Sequence, residues 1–282
     1  MIYYYECFSK IIKLTLESNK LEELDFWLYR FCPSVNKIDS VDKYDISIEC
    51  FESSFYDYLV DGNKIKLYGN MKNYSSFLAK FITQVFQKLL IYENILFVPA
   101  ACVGNNKDCL LILGDFWQGK TSTALSIANK HNLHLLSDNY IAIKDGIVIG
   151  ATKYISKRKE DSNNSDESLL IVNQRCFFEN PYNLKFNDLK IKNFLIPFIN
   201  SSNKEVHFIS LEESKWYLYQ KFIRLLSGET ILFDGKLPSP IFLDKEASII
   251  ILNIVNKLLQ ENKILYVSSD MDTIVSEGFK IL

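Results

Sequence analysis

The strongest chemical signal in the chain is a glycine-containing motif that matches the pattern G-x-x-x-x-G-K-[ST] in full: Gly114, Asp115, Phe116, Trp117, Gln118, Gly119, Lys120, Thr121. In this pattern the two glycines let the backbone curl, so that successive N–H groups point at phosphate oxygens. Lys120 would bring a cation to the β- and γ-phosphates, and the Thr121 hydroxyl would ligate Mg²⁺. Because the chain has only 10 glycines, a fortuitous glycine turn is the weaker alternative. The motif predicts a nucleotide-binding loop.

A second candidate is the carboxylate of Asp138, which follows the apolar run at residues 134–136. A carboxylate at the end of a strand beside a nucleotide-binding loop can hold Mg²⁺ or accept a proton from a hydroxyl. The alternative is a turn-forming aspartate with a solvated side chain. The position favours neither interpretation by itself.

The elements around these residues have the order of an α/β nucleotide-binding core. Short apolar runs at 95–98 and 109–113 predict strands, and the second run leads directly into the motif. A helix is predicted from Ser122 to residue 129, so that its N-terminal dipole would point at the bound phosphate. Further strands are predicted at 134–136 and 141–143, followed by a turn at 145–146.

The rest of the chain predicts a mixed segment before this core and more α/β structure after it. Within residues 1–92 we expect a strand at 3–16, a hairpin around Asp61-Gly62, and an amphipathic helix over 74–92. After the core, apolar periodicity predicts strands at 190–198 and 264–267 and helices at 211–226, 247–259 and 270–279. We therefore predict an N-terminal α+β segment, 1–92, packed on an α/β nucleotide-binding domain, 93–282.

One tract, KYISKRKEDSNNSDES at 153–168, is nearly free of apolar residues and mixes both charges. This composition predicts a mobile loop or lid, with a plain solvated linker as the alternative. The basic run Lys157, Arg158 and Lys159 would steer phosphate or an acidic peptide, but an ordinary solvated charge run is the favoured interpretation.

The stretch from 95 to 158 resembles the catalytic core of HPr serine kinase/phosphorylase and its looser relatives, a P-loop fold of the HPr kinase / PEP carboxykinase-like type. The resemblance rests on LLILGDFWQGKTSTALSIA followed by LLSDN. The closing sequence ILYVSSDMDTI is similar to the last strand and helix of shorter relatives found beside peptide-modifying enzymes. Some of those relatives are thought to phosphorylate a precursor or lasso peptide on serine.

The resemblance implies an ATP- and Mg²⁺-dependent kinase that acts on a serine-type hydroxyl of a peptide or small protein, as in ribosomal-peptide modification. Lys120 and the loop amides, including those at 114–119 and Ser122, would hold the phosphates. Thr121 and Asp138 would hold Mg²⁺, and Asp138 would also act as the general base. The residues assigned to catalysis are Asp138 and Lys120.

Two departures from the family pattern leave other functions open. The family carries a histidine before the loop strand where this chain has Val98-Pro99-Ala100, which argues against a phosphorylase reaction. Its acidic pair is reduced to Asp138-Asn139, and Asn139 cannot take a proton. A catalytically degenerate, peptide-binding adaptor and a small-molecule kinase are the alternatives. The complete Gly119-Lys120-Thr121 favours the enzyme.

Composition restricts the partners. A formal net charge of −2 and a pI near 6.0 give no reason to expect a nucleic acid. The first residues have no signal-peptide pattern, and no run approaches the ~20 apolar residues of a membrane span. Six scattered cysteines predict buried free thiols in a reducing compartment, and the three histidines predict surface positions. We expect a soluble, cytoplasmic protein, and leave formation of a homo-oligomer open.

Overall fold

We describe the fold from a computed structural model, for residues 1–17, 23–70, 75–115, 118–158, 170–172, 175–180, 189–200, 204–227, 231–232 and 237–282. Contacts divide the chain into two compact units, and each unit is built from two stretches of sequence. The first comprises Met1–Leu96 and Ile223–Ile251, and the second Phe97–Phe222 and Leu252–Leu282. Residues 223–251, which lie in the predicted nucleotide-binding domain, therefore group with the N-terminal stretch by contacts.

The N-terminal stretch of the first unit contains a sheet and two helices. Its strands are β1 (Ile2–Cys7), β2 (Lys10–Leu16), β3 (Val35–Ile38), β4 (Ile46–Glu52), β5 (Asp57–Asp61) and β6 (Lys64–Gly69), and its helices are α1 (Leu24–Phe31) and α2 (Ser75–Leu90). Among the described residues these strands form a six-stranded sheet in the order β3-β1-β2-β4-β6-β5. Alternate residues of β2 are buried, because successive side chains of a strand point to opposite faces.

The second unit begins within β7. The strands that follow the N-terminal stretch are β7 (Leu96–Pro99), β8 (Ala101–Gly104), β9 (Asp108–Ile112), β10 (His134–Ser137), β11 (Tyr140–Lys144), β12 (Ile147–Ala151), β13 (Tyr154–Arg158), β14 (Leu170–Val172), β15 (Arg175–Glu179), β16 (Leu189–Ile199) and β17 (Glu205–Phe208). The helices in this part of the chain are α3 (Lys120–His131) and α4 (Leu211–Ile223). The described part of the chain continues with β18 (Ile231–Leu232), β19 (Leu237–Pro238), α5 (Lys245–Glu261), β20 (Ile264–Ser269) and α6 (Met271–Lys280).

A buried glutamine holds the later stretch of the first unit to α2. The Gln84 side chain donates from Nε2 to the Leu225 carbonyl at 2.6 Å. Its Oε1 accepts a hydrogen bond of 2.7 Å from Ser239 Oγ. A buried amide is costly unless both of its ends find partners. Gln84 therefore fixes how residues 225 and 239 lie against α2.

The described strands of the second unit include a nine-stranded sheet. One path runs β10-β8-β9-β16-β12-β11-β7, and β20 pairs with β16 and with β17. β9, β16 and β20 are mutually parallel. Helices α3 and α6 pack together on this sheet and bury a shared apolar core: Leu110, Ile112, Ala124, Ile127, Leu195, Leu265, Val267, Ile274 and Val275. The fold is thus α/β, with several sheets.

Most of the predicted elements are confirmed, because strong local patterns marked them. The hairpin is the antiparallel pair β5–β6, and the helix over 74–92 is α2. The single strand predicted at 3–16 is wrong. It is the hairpin β1–β2, turned at Phe8, whose φ of 54° is left-handed. Phe8 gives no turn signal, since asparagine or glycine normally occupies that conformation.

The prediction of a mobile tract at 153–168 is wrong for its first part. Residues 154–158 are strand β13, which pairs with β15 along its whole length. The low apolar content misled the prediction because this strand makes polar contacts: Ser156, which is buried, hydrogen-bonds a neighbouring aspartate. Residues 159–168 lie outside the described residues.

All six cysteines are described, and all six are buried and outside any disulfide, which confirms the prediction of buried thiols. In the described part of the chain, no helix combines the length and apolar character needed to cross a membrane.

Candidate nucleotide-binding site

The glycine motif lies between a buried strand and a helix. β9 is followed by Leu113 and Gly114, and α3 begins at Lys120. The Leu113 N–H donates to the Leu195 carbonyl at 2.8 Å, which extends the parallel β9–β16 pairing to the start of the motif. Phe116 and Trp117 lie outside the described residues, so their part in nucleotide binding stays a prediction.

Both motif glycines have backbone conformations that other residues adopt only with strain. The φ angles are 149° at Gly114 and 81° at Gly119. A Cβ at Gly119 would collide with Cδ1 of Ile199, the last residue of β16. A Cβ at Gly114 would lie 2.6 Å from Gln118 Oε1. The loop backbone therefore requires glycine at both positions, as the motif does.

Lys120 is folded back onto its own loop. Its Nζ donates to the carbonyl of Gly114 at 2.9 Å and to the carbonyl of Asp115 at 2.7 Å. The Asp115 N–H donates to Gln118 Oε1 at 2.6 Å, which holds the loop from the other side. A phosphate that recruits the Lys120 ammonium must therefore replace contacts with backbone carbonyls.

The N-terminus of α3 opens onto the same loop. A helix leaves its first N–H groups without intrahelical partners, and Gly119, in the capping position, has no side chain to cap them. Intrahelical bonding begins with the Thr123 N–H, which donates to the Gly119 carbonyl at 2.8 Å. Thr121 and Ser122 are half-buried in this first turn. Such a terminus favours an anion through its N–H groups and its dipole.

Asp115 forms an ion pair with Lys221 of α4. The Lys221 side chain is 10% exposed, whereas that of Asp115 is 59% exposed. Nothing in the local sequence connects the two residues, because 106 positions separate them. This pair is part of the site that sequence reasoning missed.

Asp138 is buried at the end of β10, with 5% of its surface exposed. Its Oδ2 accepts hydrogen bonds from the Ser156 N–H at 2.8 Å and from Ser156 Oγ at 3.0 Å. Ser156 Oγ in turn accepts from Arg175 Nη1 at 3.0 Å. The interpretation of Asp138 as a solvated turn residue is wrong, since its carboxylate is held by β13. If Asp138 acts as a base or a metal ligand, its carboxylate does so while it also accepts hydrogen bonds from Ser156.

Strand register puts Asp138 and the loop at one edge of the sheet. β10 and β9 both run antiparallel to β8, so they point the same way with one strand between them. Ser137 pairs with Cys102, and Cys102 pairs with Leu111, so Asp138 is level with Ile112. Adjacent strands lie ~4.8 Å apart, which puts the two strand ends about 10 Å from each other. The motif begins at Gly114, two residues after Ile112, so the loop extends beyond the ends of these strands.

The described residues contain no group of three or more His, Cys, Asp or Glu side chains placed to hold a metal ion. Mg²⁺ held by Thr121 and Asp138 would therefore take its other ligands from phosphate and water. Mg²⁺ commonly binds in this way, with few protein ligands.

The histidines differ in their surroundings. His207 is exposed, 3.4 Å from Glu205, which agrees with the predicted surface position. His131 is half-buried, and its ring stacks on the exposed Phe279 with centroids 3.7 Å apart. Within the described residues, its Nε2 is buried and has no hydrogen-bond partner. Of the basic run, Lys157 and Arg158 belong to β13, and Lys159 lies outside the described residues.

Comparison with known proteins does not identify a family for this chain. No protein-family model matches the sequence, and no curated protein matches it. Among solved structures, the HPr(Ser) kinase/phosphatase from Coxiella burnetii is similar at 14% identity, over 65% of this chain and 94% of that chain, with a TM-score of 0.23. A TM-score this low does not establish a shared fold, so the proposals below rest on the residues of this chain.

Proposed function

We propose that the chain binds ATP with Mg²⁺ at residues 114–122 and transfers the γ-phosphoryl group to a hydroxyl on a peptide or small protein. One observation carries the proposal. A complete glycine-lysine-threonine motif, in a backbone conformation that needs both glycines, lies between a buried strand and a helix N-terminus. This is the arrangement that binds the phosphates of nucleotides.

The roles follow from the chemistry of phosphoryl transfer, in which positioning and charge stabilisation dominate. Lys120 and the amides of the loop and of the first turn of α3 hold the phosphates. Thr121 contributes a hydroxyl to Mg²⁺. Asp138, at the same edge of the sheet, receives the proton of the acceptor hydroxyl or holds the metal ion through water.

A second candidate function, a peptide-binding adaptor without catalysis, is favoured by the surroundings of Asp138. Its carboxylate is buried and already accepts two hydrogen bonds from Ser156. The next residue, Asn139, cannot act as a base. In this function the carboxylate connects β10 with β13 and takes no part in phosphate transfer.

The test that separates the two functions is transfer of radiolabelled phosphate from ATP to serine-containing peptides, with Mg²⁺ present. Calorimetry with ATP and the same peptides runs in parallel. If the chain is a kinase, it binds ATP and transfers the label to serine. Peptide binding with no transfer to any acceptor would favour the adaptor, and failure to bind ATP would refute the nucleotide site.

A further inference from the structure

Two lysines converge on one residue of the loop. Lys120 donates to the backbone carbonyl of Asp115 at 2.7 Å, and Lys221 of α4 pairs with the carboxylate of the same residue. The first lysine belongs to the motif, and its presence there is expected. The second comes from another element, and the motif does not require it.

Asp115 creates an electrostatic conflict that Lys221 resolves. A loop that binds phosphate gathers N–H dipoles and a cation around an anion, yet this loop carries a carboxylate at its second position. An unneutralised carboxylate would repel the phosphates, because like charges at short range are unfavourable. The Lys221 ammonium, 10% exposed, lies against that carboxylate, 59% exposed, and offsets its charge at the loop.

Lys221 is also held in place from its own helix. Its Nζ lies 5.1 Å from the centroid of the Tyr217 ring, one turn earlier in α4. Burial, and then the charge of Asp115, raise the pKa of Tyr217, so the ring stays a neutral phenol beneath the ammonium. A buried lysine is rare unless it is paired, and here the partner is a loop carboxylate.

We propose that Lys221 is a positioning residue of the nucleotide site, which neutralises and orients Asp115 so that the loop accepts phosphate. The proposal rests on the nucleotide site proposed above and adds a residue to it. Lys221 acts through Asp115, and its effect depends on the charge of the ligand.

The test measures calorimetric affinity for ATP, for inorganic tripolyphosphate and for adenosine. Lys221→Met is expected to weaken ATP and tripolyphosphate about tenfold, equivalent to about 1.4 kcal/mol, and to leave adenosine unchanged. Lys221→Arg keeps the charge and should retain more affinity for ATP and tripolyphosphate than Lys221→Met does. Adding Asp115→Asn to Lys221→Met should restore affinity to within about twofold, because the two removed charges cancel.

A lysine that merely packs α4 would not give this result. Its loss would weaken all ligands alike, and Asp115→Asn would not rescue it. Lys88→Met is the matched control, since Lys88 also pairs with an aspartate but lies in the first unit. It should bind tripolyphosphate as the wild type does. Should Lys221→Met fail to fold, Asp115→Asn alone decides, since affinity weaker than wild type contradicts the proposal.

The outcomes distinguish this inference from the proposed function. If the wild type binds tripolyphosphate and shows the Lys221 effect but transfers no phosphate, the inference stands and the kinase function fails. If it transfers phosphate while Lys221→Met binds normally, the inference fails and the function stands. Wild-type protein that binds neither ATP nor tripolyphosphate overturns both.

Discussion

The Lys120 ammonium donates hydrogen bonds to the carbonyls of residues 114 and 115. Phosphate binding would exchange these neutral acceptors for charged oxygens, and charge-assisted hydrogen bonds are worth about 1.5–3 kcal/mol. We therefore expect Lys120→Ala to weaken Mg-ATP binding by roughly ten- to a hundredfold in isothermal calorimetry.

The matched control for this change is Lys130→Ala in the last turn of the same helix. Lys130 pairs with Asp272 at 3.2 Å on the surface, so its loss should leave ATP affinity unchanged. Equal ATP affinity for wild type and Lys120→Ala would show that the motif does not bind phosphate.

The carboxylate of Asp138 gives a second prediction. Asp138→Asn should abolish phosphate transfer, because loss of a positioned general base costs about 10²–10⁴-fold. ATP affinity should change little, since Lys120 and the loop amides remain. The fold should persist, because an asparagine oxygen can still accept from Ser156. The measurement is single-turnover transfer of labelled phosphate.

Asp145→Asn serves as the control, since Asp145 lies in the turn between β11 and β12 and pairs with Lys257 at 2.7 Å. It should transfer phosphate at the wild-type rate. If Asp138→Asn is as fast as wild type, another group takes the proton.

The local part of the site was predictable and the long-range part was not. Spacing alone indicated the loop, because glycine, lysine and threonine act within one short segment. The Lys221–Asp115 pair spans 106 positions, and no local pattern reports which lysine of α4 will face the loop. Ser156 was hidden in a polar tract, since a buried serine and a solvated one look alike in sequence.

At the scale of elements, Asp244 does two things for α5. Its Oδ1 accepts from the Ala247 N–H at 2.8 Å and caps the helix, while its Oδ2 accepts from Tyr92 at 2.5 Å and pairs with Lys88 of α2. Asp244→Ala should therefore cost about 1–2 kcal/mol of unfolding free energy. Asp244→Asn keeps a cap and should cost only about 0.2–1 kcal/mol. Urea denaturation measures both.

The same residue predicts a response to acid. Hydrogen bonds from Lys88, from Tyr92 and from the Ala247 amide lower the pKa of Asp244 below its ordinary value of 3.8. Because the folded pKa is the lower one, the stabilisation is complete above about pH 4 and is lost as the pH falls further. The stability difference between wild type and Asp244→Asn should therefore shrink below pH 4. A constant difference down to the lowest pH would contradict this assignment.

Elements with a strong repeating pattern were predictable, and those defined by distant partners were not. α2 repeats apolar residues every three to four positions and was found within a residue or two. β13 has few apolar residues and forms because β15 lies beside it. Strand formation at such places depends on tertiary partners more than on local preference.

Across the whole molecule, the cysteines predict low thiol reactivity. Burial raises the pKa of the Cys50 thiol to about 12, and it also raises the pKa of Cys7 and of Cys102. Because only the thiolate reacts, native protein at pH 8 should show no rapid labelling by iodoacetamide. In denaturant all six cysteines should react. Rapid labelling of even one thiol in native protein would show that part of the core opens easily.

The division of the chain into interleaved stretches affects the order of events on the ribosome. Domains usually fold as units during synthesis, with the N-terminal one first. Here the first unit needs residues up to Ile251, and the second needs β20 and α6, which are translated later still. Neither unit of the nascent chain can be completed until almost the whole sequence has been translated. The edge of β16 that pairs with β20 in the nine-stranded sheet therefore stays unpaired until late in synthesis, the period when such edges invite aggregation.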